Sequence, residues 1–199
     1  MASVFGGAVV AVGIGIVVII VIAVHSLNGI SVAKPTPSAV TCPDAATKTV
    51  GGVAVPAGPV AGYCQSELVN AAYVIEAAQS YGIGPHTQAV GVMTAIGESG
   101  LVNLDHGDTA GPDSRGIFQQ RDNGAWGTYE QRMDPYTAAT MFYAKLVRIP
   151  GWKTMTPTEM AHAVQVNADP DHYTKFWPRA KAVVHELTGQ DVPDVAPQD

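Results

Sequence analysis

From Val4 to Val24 the chain runs for about 21 residues without one charged or strongly polar side chain. Wound as a helix at roughly 1.5 Å per residue, such a run crosses a hydrocarbon core of about 30 Å. This feature divides the chain: residues 1–30 are read as one N-terminal transmembrane helix, and the remainder must bury its own core in water. A cleaved secretory signal is the competing reading, because Ser31-Val32-Ala33 offers small residues just before Lys34. Two features favour a retained anchor. No Lys or Arg precedes the run, and it is longer than the roughly 7 to 15 apolar residues of a signal peptide. The lack of flanking cations leaves orientation open. Gly7, Ala11 and Gly15 fall at four-residue spacing, a pattern that permits close helix pairing but is common in such helices.

Composition shifts after the anchor. Residues 31–62 are rich in Pro, Gly, Ala, Val and Thr, and Pro35, Pro37, Pro43, Pro56 and Pro59 deny them a long helix. They read as a tether, of which Val50 to Val60 is apolar enough to lie along a domain surface. Cys42 and Cys64, the only two cysteines, bracket this stretch. Neither has metal-ligand spacing, so they form a disulfide or remain inert thiols. Beyond a membrane anchor the disulfide is favoured, pinning the tether to the domain in an exported compartment.

Residues 63–189 carry the signals of a helical domain, followed by a short C-terminal tail at 190–199. Ser66 is placed to cap a helix whose apolar stripe includes Leu68, Ala72, Ile75 and Ala78, with Gly82 beyond its end. A second helix starts near Pro85 and sends Val90, Met93 and Ile96 to the core. Asp134-Pro135 pairs a cap with a proline at the first helical position, ahead of Ala139, Phe142, Tyr143 and Leu146. Thr156 and Glu159 form a capping box around Pro157. The last helix is expected from about Asp171 to Leu187, bent or broken at Pro178. The class is therefore mainly α, and any strands should be short and lie between Asn103 and Gly127.

That same segment is the expected cleft. It holds Asp105, His106, Asp108, Asp113, Arg115, Arg121 and Asp122 among its glycines, too polar for a core and too long for a passive turn. Just before it stands Glu98, where the apolar pattern Thr87 to Ile96 gives way to Gly97-Glu98-Ser99-Gly100. An acid there can project into a cleft from a fixed backbone, and apolar walls would hold its proton near neutral pH, as a general acid requires. A solvated residue in the last helical turn is the plainer alternative, although the helix dipole disfavours an acid in that place. Phe118 and Trp126 offer apolar and stacking surface, and Gln119 and Gln120 offer amides, a mixture suited to sugar rings and N-acetyl groups. Core packing is an equal reading of Phe118.

Other chemistries find little support. Asp105-His106-Gly107-Asp108 lacks the partners of a zinc site and the spacing of a calcium loop, so no metal and no cofactor is expected. His86, His162, His172 and His185 are scattered singly. Ser99 has no histidine in a nucleophile setting, and no phosphate-binding glycine motif is present. A net charge of -6 argues against general nucleic-acid binding.

Glu98-Ser99 followed by Gly116-Ile117-Phe118-Gln119 resembles the first two motifs of the lytic transglycosylases. The similarity is closer to transglycosylase domains in membrane-anchored cell-wall hydrolases of actinobacterial conjugative elements and phages. It covers about residues 65 to 187 and includes Ser114-Arg115-Gly116, Trp126-Gly127-Thr128, Arg132-Met133-Asp134-Pro135, Ile149-Pro150-Gly151-Trp152, Ala163-Val164-Gln165 and Pro170-Asp171-His172-Tyr173. The resemblance implies a lysozyme-like helical domain that cleaves peptidoglycan glycan strands between N-acetylmuramic acid and N-acetylglucosamine. Glu98 would be the one acid and base, releasing a 1,6-anhydro product. Ser99, Phe118, Gln119, Gln165 and Tyr173 would meet the substrate or hold the acid. A membrane-anchored enzyme working outside the cytoplasm, or on a virion, would serve a conjugation or phage assembly.

The chain departs from the family at its third motif. Val164 stands where soluble members place a tyrosine, and cannot supply the hydroxyl that holds the acid. Tyr173 is the candidate substitute, unless it merely packs with Phe176 and Trp177. Hydrolysis is the first alternative reaction, since it needs a second carboxylate about 5 to 9.5 Å from the acid and Asp105, Asp108 and Asp113 follow in the loop. A peptidoglycan-binding or structural protein without turnover is the alternative from another class.

Overall fold

A computed structural model describes residues 40–195. The apolar run Val4 to Val24 lies outside them, and among the described residues no helix is long and apolar enough to cross a membrane. The described chain is mainly helical. After two strands, β1 (Lys48–Val50) and β2 (Val53–Val55), come α1 (Gln65–Ser80), α2 (Pro85–Ser99), α3 (Tyr129–Met133), α4 (Pro135–Leu146), α5 (Pro157–Gln165) and α6 (Trp177–Thr188), with short 3-10 turns at Trp152–Thr154 and Thr174–Phe176.

The centre of the core is α2. His86 to Ile96 are all buried, so this helix presents no solvent face and is surrounded by its neighbours. It packs on α1, α5 and α6, while α1 also packs on α4. The aliphatic and aromatic side chains Leu68, Ile75, Met93, Phe142, Tyr143, Met160 and Val183 are completely enclosed between them. Burying each large apolar side chain contributes about 1.5 to 3 kcal/mol, so the fixed position of α2 rests on these contacts more than on helix propensity. Whatever its ends carry is held accordingly.

Local chemistry sets the boundaries of the helices. Asp134 accepts from the Thr137 amide to open α4, and Thr156 and Glu159 form the reciprocal capping box of α5. A second such box, Thr128 with Gln131, opens the short α3, an element the apolar periodicity does not announce. At α1 the expectation fails: Cys64 takes the cap position without a side-chain bond, and Ser66 Oγ donates to Glu67 instead. Pro178 does not break a long last helix. It sits in the first turn of α6, where a missing amide is harmless, and the residues before it form a 3-10 turn.

The strands lie elsewhere than expected. β1 and β2 pair antiparallel through a two-residue Gly51-Gly52 turn, with Val50 facing Val53. Both glycines have positive φ, 53° and 82°, as a type I′ hairpin requires. Between Asn103 and Gly127 there is only an isolated bridge, Arg115 with Gln120, among the described residues. The hairpin is also fastened down. Val50, Val53 and Val55 are buried, and Gln65 Nε2 donates to Ala46 O at 2.7 Å and to Val55 O at 3.3 Å. The latter part of the expected tether is thus integral to the folded unit. Cys42 and Cys64 are joined by a disulfide, with their Cα atoms 5.4 Å apart.

Candidate active site

Glu98 occupies the last turn of α2, which ends because Gly100 adopts the left-handed conformation at φ 65° and turns its amide back to Ile96 and Ala95. The carboxylate is half-buried. Tyr173, wholly enclosed, donates its hydroxyl to Glu98 Oε1 from 75 residues further along the chain. Gln165, at the end of α5, lies beside the carboxylate, and its side-chain amide favours the charged form. Its amide nitrogen donates to the Phe118 carbonyl at 2.8 Å, tying α5 to the loop.

Burial pushes the Glu98 carboxyl above its ordinary range. The bond from Tyr173, the Gln165 amide and the nearby charge of His172 pull the other way, and burial outweighs them. Burial together with the adjoining carboxylate raises the Tyr173 phenol as well, which keeps it a hydrogen-bond donor. A carboxyl of this kind holds a proton further toward neutral pH than a solvated one and can release it to a bound group.

Glycine makes the approach possible. A Cβ at Gly97 would stand 2.7 Å from Tyr173 Cδ1 and 3.2 Å from Phe176 Cε2, too close for either ring to stay. His172 completes this side, with Nε2 at 3.3 Å from the Gly97 carbonyl and its ring edge-on to those of Tyr173 and Phe176. The sequence assigns no site role to Gly97, and none to His172 beyond its place in Pro170-Asp171-His172-Tyr173. A glycine within a buried helix one residue before a candidate acid was the available signal, since it admits a close neighbour.

The loop forms the opposite side. Arg115 and Gln120 exchange two backbone hydrogen bonds at 3.0 and 2.9 Å, closing a tight turn over Gly116 to Gln119. Gly116 lies directly on α3: a Cβ there would come within 2.0 Å of the Arg132 carbonyl, and its φ is 76°. Gln119 holds φ at 46°, a left-handed conformation unusual for a residue with a side chain. Its Nε2 donates to Gly116 O at 3.2 Å. Ser99 Oγ bonds the Ile117 carbonyl at 2.9 Å and Ala95 O at 3.1 Å, so it fastens the end of α2 to the loop.

The candidate residues therefore sort by position. Glu98, Gln165 and Tyr173 meet at one point, Gln119 belongs to the turn beside it, and Ser99 ties the end of α2 to that turn. Phe118 does not offer a ligand surface: it is fully buried and stacks on Phe142 at 5.0 Å, because the turn directs it into the core. Trp126 is covered in the same way, 6% exposed with Lys145 Nζ 4.5 Å above its ring. Val164 is buried, and its carbonyl accepts from Lys145 at 2.6 Å. The loop aspartates are engaged locally. Asp113 binds Arg121 Nε at 2.6 Å and the Asp122 amide at 2.7 Å, Asp108 accepts from the Ala110 and Gly111 amides, and Asp105 pairs with His106 on the surface. Among the described residues no group of three or more His, Cys, Asp or Glu side chains is placed to hold a metal ion.

Comparison with protein-family models gives no match, and comparison with curated proteins gives none.

Proposed function

We propose that this chain is a membrane-anchored lytic transglycosylase with a lysozyme-like domain, which cuts peptidoglycan strands between N-acetylmuramic acid and N-acetylglucosamine. The observation that carries the reading is the half-buried carboxyl of Glu98, raised by burial and held by the Tyr173 hydroxyl. Support also comes from the motif resemblance around Glu98-Ser99 and Gly116 to Gln119.

Under this reading Glu98 begins protonated and gives its proton to the glycosidic oxygen as the bond to the muramic C1 breaks. The departing N-acetylglucosamine leaves as a neutral alcohol. Glu98, now a carboxylate, removes the proton from the C6 hydroxyl of the muramic ring, whose oxygen closes on C1. The product is a 1,6-anhydro sugar, and the acid is restored. One group serves as acid and then base. The resembled motifs include no second required acid, which favours this route over hydrolysis, where a second carboxylate must stand beside the scissile bond. Tyr173 and Gln165 orient the acid, and Gln119 is the residue of the turn assigned to the substrate.

The apolar run Val4 to Val24 would hold the enzyme at the membrane with its catalytic domain outside the cytoplasm, where the Cys42 to Cys64 disulfide is stable. Local opening of the wall for a conjugation or phage assembly is the role that the resemblance suggests. Zymography against purified cell walls tests the activity. Clearing by the wild-type chain, reduced at least about a hundredfold in Glu98→Gln, is expected; clearing unchanged by the substitution would contradict the assignment.

A further inference from the structure

The last turn of α2 does not close on itself. The regular partner of the Gly97 carbonyl is the Leu101 amide four residues on, but that amide turns back to Ala95 O at 3.3 Å, because Gly100 before it is left-handed. The Gly97 carbonyl is thus one of the groups that a helix end leaves for another partner. His172 Nε2 takes that place, at 3.3 Å. A carbonyl only accepts, so this nitrogen carries a hydrogen, as it can in the neutral and in the charged ring alike.

The register of this contact gives it meaning. His172 meets Gly97 and Tyr173 meets Glu98, each across 75 residues of chain. Two consecutive residues therefore clasp two consecutive residues of the helical turn, the first by its backbone and the second by its carboxylate. The segment carrying the clasp is itself pinned. The Asp171 amide donates to Asp169 Oδ1 at 2.9 Å, the Thr174 amide to Asp171 O at 3.1 Å, and Thr158 Oγ1 of α5 to Pro170 O at 3.2 Å. The His172 ring is half-buried and packs edge-on to Tyr173 and Phe176. Tyr173 by itself holds only the tip of the Glu98 side chain, while Gly97 and Gly100 loosen the backbone that bears it.

We propose that His172 is a positioning residue for the proposed reaction: its Nε2 hydrogen bond to the Gly97 carbonyl fixes the last turn of α2 and so keeps Glu98 within reach of the Tyr173 hydroxyl. The role asks for a donor at the Nε2 position, and for neither a ring nor a charge.

Two amides separate these requirements. The side-chain nitrogen of glutamine reaches the place of histidine Nε2, whereas that of asparagine reaches only the place of Nδ1. His172→Gln and His172→Asn lose ring and charge equally and differ in the reach of the donor. With carbon-13 at tyrosine Cζ, the full chain in detergent micelles gives one signal for each of its seven tyrosines. The Tyr173 signal is the one absent from Tyr173→Phe. It should keep its wild-type position in His172→Gln and move in His172→Asn toward the position it takes in Glu98→Ala, where its acceptor is gone. His172→Phe, which keeps the packed ring without a donor, should behave as His172→Asn does. On purified glycan strands, kcat should fall at least about tenfold in His172→Asn with KM unchanged, and stay within about threefold of wild type in His172→Gln.

The kinetic arm rests on the transglycosylase reading and the tyrosine signal does not, so an inactive wild-type chain would remove that reading while the signal still decides the clasp. The proposal is overturned if His172→Gln and His172→Asn give the same Tyr173 signal. Both at the wild-type position would make the bond idle, and both displaced would assign the effect to the ring or its charge. A KM that rises in His172→Asn with kcat unchanged overturns it as well, since His172 would then serve substrate binding.

Discussion

The Tyr173 hydroxyl donates to Glu98 Oε1, joining the segment before α6 to the last turn of α2 across 75 residues of chain. Val164, which stands where the resembled family places a tyrosine, has no hydroxyl, and Tyr173 offers one to Glu98 from a different element. Removing it in Tyr173→Phe keeps the buried ring and takes away one of the influences that lower the Glu98 carboxyl. Its pKa should then rise further, and the alkaline limb of the activity profile should move to higher pH. The maximal rate should fall by about tenfold as the acid loses its orientation. A pH series of cell-wall clearing rates checks both; a limb displaced to lower pH would contradict the arrangement.

Glu98 should also cost stability. Its folded pKa is raised by burial, so in the window between the unfolded and folded values the native state binds more protons and stability declines as pH rises. Below the unfolded value, about 4.3, both states are protonated and the effect vanishes. Glu98→Gln keeps an acceptor for Tyr173 and removes the charge. The variant should match wild type in acid and become the more stable of the two toward neutral pH, by an amount that grows with pH. Thermal melts across that range provide the measurement.

Gly97→Ala tests the approach of the ring. The new methyl would overlap Tyr173 Cδ1 at 2.7 Å, and the enclosed ring has little room to retreat. A loss of about 1 to 3 kcal/mol in unfolding free energy is expected, with a larger fall in activity than the stability change accounts for. Denaturant titration and clearing rates on one preparation separate the two. A variant of wild-type stability would show that the ring is not held there.

Reducing the Cys42 to Cys64 bridge releases a connection with a sequence separation of 22 residues. The chain-entropy relation assigns such a loop about 3 kcal/mol. Cys42→Ser with Cys64→Ser should lower the unfolding free energy by about that amount and expose the β1 to β2 hairpin to proteolysis, because Gln65 beside Cys64 anchors it. Limited digestion and denaturant melts follow the two effects.

Much of this architecture was legible in the chain because its signals are local. Asp134-Pro135 and Thr156 with Glu159 announce two helices, and the acid at the end of the Thr87 to Ile96 pattern stands where its helix stops. The hairpin was legible too, since valines flank Gly51-Gly52, but surrounding prolines made the stretch read as a tether. What remained hidden depends on distant partners. Whether Phe118 faced a ligand or the core was decided by Phe142, 24 positions on, and whether Tyr173 met the acid was decided by the space above Gly97. Helix periodicity records which face is apolar and does not record which distant side chain fills it.

The mass of the muropeptides released from purified peptidoglycan tests the central claim most directly. Wild-type protein should release muramic ends in the 1,6-anhydro form, lighter by one water than reducing ends, and Glu98→Gln should release almost none. Products that have gained water would make the enzyme a hydrolase, and anhydro products formed equally by Glu98→Gln would remove Glu98 from the reaction.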